Sequence, residues 1–193
     1  MVLGGTPIGD AVARIRALVR ASDRTPTGDL VAEALELLAT VTGADRVVLA
    51  SIDGDVASVV GAVPLDLRSA RSELDCPARW FPWGLGAVRA EQSLFVRDAA
   101  TLPAGPDGDV RLGDLGVRSA AWLPMREHGR TVGSLTLCWA TPRRGWDEAT
   151  GAIVRNVARL LLGRLDSDRR ARDQGGSSTP SDPAAPAVGS GRG

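Results

Sequence analysis

The chain has 193 residues, 44% of them hydrophobic, enough for one domain with a real core. Its 23 basic residues balance 23 acidic ones, so no global field favours nucleic acid or an anionic membrane as partner. Every basic residue is arginine, which excludes a lysine Schiff base or a lysine on a phosphate.

The first element is an amphipathic helix in "IGDAVARIRALVRASD", where Ile8, Val12, Ile15 and Leu18 or Val19 recur at helical spacing between arginines. A second helix follows in "TGDLVAEALELLATVTGA". Thr27 suits its N-cap, and Leu30, Ala34, Leu37, Leu38 and Val41 suit its apolar face. Gly43 suits its stop. "DRVVLASID" and "DVASVVGAV" read as strands joined at Asp53-Gly54.

Next comes "LDCPARWFPWGLGAV", which holds Trp80, Phe81 and Trp83, three of the seven aromatic residues, beside the Cys76-Pro77 pair. Pro82 disfavours helix at Phe81 and suits the first turn of a short helix beginning "PWGLGAV". Ser93 to Asp98 reads as a short strand. Ala99 to Gly116 is a long loop rich in proline, glycine and aspartate, of the kind that is usually functional or disordered. "VRSAAWLPMREHGRTVGSLTLCWA" is a hairpin turning at His128-Gly129. The last helix opens at Asp147 and Glu148, where negative charge complements the helix dipole. Its expected apolar face is Ile153, Val157, Leu160, Leu161 and Leu165. Three regions result: an N-terminal helix over 1–26, a domain over 27–172, and a tail over 173–193 that is disordered by composition.

This order of elements predicts an α+β fold. An antiparallel sheet carries the terminal helices on one face, and a loop and short-helix lid over a pocket on the other. Two cysteines make no disulfide framework, no signal peptide opens the chain, and no apolar run approaches the ~18 residues of a membrane span. The expected location is cytoplasmic, with no membrane or nucleic-acid partner.

From about Thr27 to Arg170 the sequence resembles a GAF domain, the small-molecule sensor module of bacterial signalling proteins. The pieces that carry the resemblance are "LVAEALELLATVTGADRVVLASID", "PWGLGAVRAEQSLFVRD" and the segment from Leu115 to Leu161, in that order and spacing. It implies the fold but no particular ligand, since members bind cyclic nucleotides, haem, bilins, amino acids or metabolites. The asparagine-lysine-phenylalanine-aspartate-glutamate signature of cyclic-nucleotide-binding members is not matched, and the adjacent Cys-His pair of bilin-binding members is absent.

Strand alternation then divides the candidates. Leu135, Leu137 and Trp139 point one way, suiting the helices, while Ser134, Thr136 and Cys138 point the other. The smaller, more polar face is where the resemblance places a ligand. Trp122 belongs on that side, and Asp98, Arg118, Ser134 and Thr136 are candidate polar anchors against the alternative of an ordinary core. Trp83 is expected to face the cavity, with Trp80 and Phe81 holding the lid down.

His128 lies in a turn without ligand-spaced partners, so no metal is expected, and no cofactor is required by the sequence. The leading reading is a non-catalytic sensor for an unidentified small molecule. It would signal through its terminal helices to a partner, and the same helices are expected to form a homodimer. The alternatives are a ligand-free interaction module in which Trp80, Phe81 and Trp83 form a hot spot, and a reductase using Cys76 and Cys138, as some relatives reduce free methionine sulfoxide.

Overall fold

The computed structural model describes residues 7–20, 27–53, 56–64, 93–102, 112–113 and 115–175. In chain order the elements are α1 (Pro7–Arg20), α2 (Thr27–Thr42), β1 (Arg46–Asp53), β2 (Val56–Val63) and β3 (Leu94–Val96). A single 3-10 turn (Ala99–Thr101), β4 (Ser119–Glu127), β5 (Arg130–Trp139) and α3 (Glu148–Gly175) complete them. The fold is α+β, as the sequence predicts.

The strands form one five-stranded sheet in the order β2-β1-β5-β4-β3, antiparallel throughout. The β4–β5 hairpin turns at the expected place. His128 (φ 49°) and Gly129 (φ 80°) both take the left-handed conformation of a tight primed turn. The Asp53-Gly54 turn lies outside the described residues. Gly43, with φ 60°, ends α2 as expected.

Alternation along the strands sets two faces. Leu49, Ala121, Leu123, Leu135, Leu137 and Trp139 face the helices, where they pack with Ile15 of α1, Leu35 and Leu38 of α2, and Val157 and Leu161 of α3. Close approach here depends on missing side chains. A Cβ on Gly61 would lie 2.6 Å from Val31 Cγ1 of α2, and one on Gly133 would lie 2.7 Å from the Ala50 carbonyl oxygen.

The helix faces differ from expectation in phase. In α2, Leu30, Ala34 and Leu38 are buried as expected, but Val31 and Leu35 complete the face, while Leu37 is only partly buried. The sheet covers a wider arc of this helix than a single apolar stripe suggests. In α3 the buried positions are Val154, Val157, Ala158, Leu161 and Leu162. Leu160 is 40% exposed, not part of the core. At 100° per residue it sits roughly 130° round the helix from the centre of that group. α3 also runs to Gly175, past the expected boundary at 172. Among the described residues no helix is long and apolar enough to cross a membrane.

Candidate functional site

The face of the sheet turned away from the helices carries Val48 and Ala50 of β1, Ala120 and Trp122 of β4, and Ser134, Thr136 and Cys138 of β5. Register places them side by side: Trp122 opposite Thr136, Thr136 opposite Val48, Ser134 opposite Ala50 and Ala120 opposite Cys138. Four sequence-predicted residues (Trp122, Ser134, Thr136 and Cys138) are therefore brought onto one face, and all four are buried. Trp80 and Trp83, with Phe81 and Cys76, lie outside the described residues, as does the short helix expected around them.

The face divides into two parts. At the Cys138 end, Val96, Leu112, Val117, Ala120 and Cys138 form a second small core, with Leu94, Leu102 and Leu115 against it. Leu112, Leu115 and Val117 pack over this end, and the Arg46 guanidinium donates to the Leu115 carbonyl. Cys138 is thus a packed apolar group. Burial pushes its thiol up to about 12, outweighing the favourable field of Arg46, with Asp45 adding to the rise.

The other part belongs to neither core. Val48, Ala50, Ala62 and Trp122 are buried there, beside the hydroxyl-bearing Ser134 and Thr136. Trp122 is 3% exposed, and among the described residues its indole Nε1–H has no hydrogen-bond acceptor. A buried donor without a partner costs ~1–3 kcal/mol, so natural folds rarely leave one.

Asp98 and Arg118 are engaged with each other. Arg118 Nε donates to Asp98 Oδ1 at 3.0 Å and Nη2 to Oδ2 at 2.9 Å. The Ala100 amide also donates to Oδ1, so Asp98 caps the 3-10 turn while it pairs. Arg118, and then the Ala100 amide, hold the Asp98 carboxyl below its ordinary value, and Asp98 raises the guanidinium in return. Both carboxylate oxygens are occupied within the chain. This geometry describes a clamp tying the end of β3 to the start of β4.

Sequence reasoning missed a second network on the helix side. Ser119, fully buried, donates through Oγ to the Arg97 carbonyl and accepts from the Arg143 amide at 2.7 Å. The Arg143 guanidinium lies 4.9 Å from the centre of the Trp139 ring and donates to the Gly43 carbonyl at 3.1 Å. Trp146 stacks near Phe95 at 6.5 Å and tilts against Trp139 at 5.6 Å. These partners are far apart in sequence. No local spacing in the sequence links them.

The comparisons with known proteins agree with this fold. The family model for the GAF domain matches residues 26–165. Among solved structures, the GAF domain of a phosphoenolpyruvate-protein phosphotransferase from Coxiella burnetii is 16% identical, with a TM-score of 0.63 over 88% of this chain and 97% of that one. The phycoerythrobilin-bound GAF domain of a cyanobacterial phytochrome is 17% identical, with a TM-score of 0.62 over 89% and 100%. A free methionine-R-sulfoxide reductase from Neisseria meningitidis, in complex with its substrate, is 18% identical, with a TM-score of 0.61 over 89% and 96%. A search of curated proteins returned no match. At these identities the solved structures speak for the fold alone. With the family model spanning most of the described sheet and helices, the chain belongs to the GAF domain family.

Proposed function

We propose that this chain is a sensory module that binds a small molecule on the sheet face bearing Trp122, Thr136 and Ser134. Its terminal helices α1 and α3 would pass the bound state to a protein partner. The observation that carries the reading is the buried Trp122 Nε1–H, which has no acceptor among the described residues and which a ligand carbonyl, carboxylate or ring nitrogen would satisfy. The flanking Val48 and Ala50 and the Ser134 and Thr136 hydroxyls give the mixed apolar and polar lining usual for such sites. A bilin-bound GAF domain shares the fold and supports ligand binding as its use.

A route to the helices runs through the strand. Thr136 lies between Leu135 and Leu137, which belong to the core with α3 Leu161. A ligand that fits one arrangement of this strand better than another shifts the population only by that difference in affinity.

Mass spectrometry of small molecules retained by the purified protein, followed by thermal-shift titration of each, tests the reading. The expected result is a retained compound that raises Tm, with its affinity about 10-fold weaker in Trp122→Phe. No retained compound, and no stabilisation across nucleotides, amino acids, haem and bilins, would overturn it. The reductase reading has less support, because Cys138 is sealed in the second core as a neutral thiol.

A further inference from the structure

On the opposite side of the sheet from Trp122, α1 and α3 leave an open groove of about 470 Å³, lined by Arg16, Asn156, Arg159, Leu160 and Gly163. The four α3 residues fall at three- and four-residue spacing, so they share one stripe of the helix. Leu160 is the exposed large hydrophobic side chain among the described residues. A Cβ on Gly163 would meet nothing within 4 Å, so the groove is open at that end.

Its charge is unbalanced. Three arginines of the same two helices have acceptors: Arg14 pairs with Glu33 at 2.9 Å, Arg164 with Asp168 at 3.1 Å, and Arg155 donates to Ser93 Oγ at 2.6 Å. Among the described residues, Arg16 and Arg159 have no carboxylate partner. Arg159 reaches only the Asn156 side-chain oxygen, at 3.4 Å.

We propose that this groove docks an acidic helical segment of a partner protein, its carboxylates on Arg16 and Arg159 and an apolar side chain against Leu160. Guanidinium groups pair with carboxylates in a two-pronged geometry, and an apolar contact between them adds desolvated area. A second copy of this chain fits less well. A two-fold pairing of the groove with itself would gather four guanidinium groups, Arg16 and Arg159 of each copy, in one interface, and like charges there repel. The proposal rests on the partner half of the proposed function and not on its ligand half, since the groove is on the helix side and its test needs no small molecule.

The probe is a fluorescein-labelled helical peptide in which glutamates flank leucines at three- and four-residue spacing, followed by anisotropy. Saturable binding that weakens with salt is expected for the native chain. Arg16→Glu with Arg159→Glu should weaken it at least about 10-fold and create binding to the same peptide with lysine in place of glutamate. Leu160→Ala should also weaken the glutamate peptide. These side chains are exposed, and a circular dichroism melt of each variant confirms that the fold is kept. Equal affinity of native and reversed chains, or no saturable binding by the native chain, overturns the proposal. So does a dimer in sedimentation equilibrium that Leu160→Ala dissociates, which would assign the groove to a second copy.

Discussion

At the scale of single residues, both cysteines are candidates in the sequence, and Cys138 lies among the described residues. Cys138 alternates with Leu137 and so faces away from the helices, as its position predicts. What the alternation did not carry is that Val96, Leu112 and Val117 seal it. With its thiol pushed up to about 12 by burial, hardly any thiolate exists near neutrality. Iodoacetamide at ~pH 8 should leave Cys138 unmodified in the native chain and alkylate it in denaturant, as read by peptide mass spectrometry. Native-state alkylation at the rate of a free thiol would reveal an accessible thiolate and revive redox chemistry. Trp122 is the contrasting case. Its side of the sheet was legible from period-two alternation, but its missing hydrogen-bond partner was not, because satisfaction of an indole depends on every neighbour at once.

Elements are positioned by contacts that periodicity only half describes. The β4–β5 hairpin was legible because "REHGR" interrupts two alternating runs. Its packing was not. Gly133 of β5 faces Leu162 of α3, and an added methyl there meets Leu162 Cδ1, the Ala50 carbonyl of β1 at 2.7 Å and Met125 Cε at 3.2 Å. Gly133→Ala should therefore destabilise by ~1–3 kcal/mol in urea unfolding, since backbone cannot yield as a side-chain tip can. Unchanged stability would mean that α3 rides more loosely on the sheet than its buried face implies. The same helix explains the error at Leu160. The pattern "IVRNVARLLLGRL" offers apolar residues around more than half the helix, and the sheet and α1 decide which arc is covered.

For the whole molecule, acid should expose the two carboxylates that tie segments together. Asp98 binds Arg118 and caps the 3-10 turn. Asp147 accepts from the Thr150 hydroxyl, then from the Thr150 and Ala149 amides, at the start of α3. Both carboxyls lie below the ordinary 3.8 in the folded chain. Between the folded value and 3.8 the unfolded chain binds more protons, so their contribution is complete above 3.8 and is lost as pH falls through the folded values. A plot of Tm against pH should fall in that window, and Asp98→Asn should flatten the fall. Salt should shrink the Asp98 share, because Arg118 is 44% exposed and its pair is screened. An identical slope in Asp98→Asn would assign the acid sensitivity elsewhere. By itself the sequence determined the described helices and strands, the α+β class and which strand residues share a face, because spacings of two and 3.6 residues follow from backbone geometry alone. Only the tertiary structure decided that Asp98 and Arg118 close on each other, that Phe95, Trp139 and Trp146 meet, that Cys138 is sealed, and that Leu160 turns outward beside Arg16. Each of these depends on which distant surfaces come to rest together, and no local spacing encodes that.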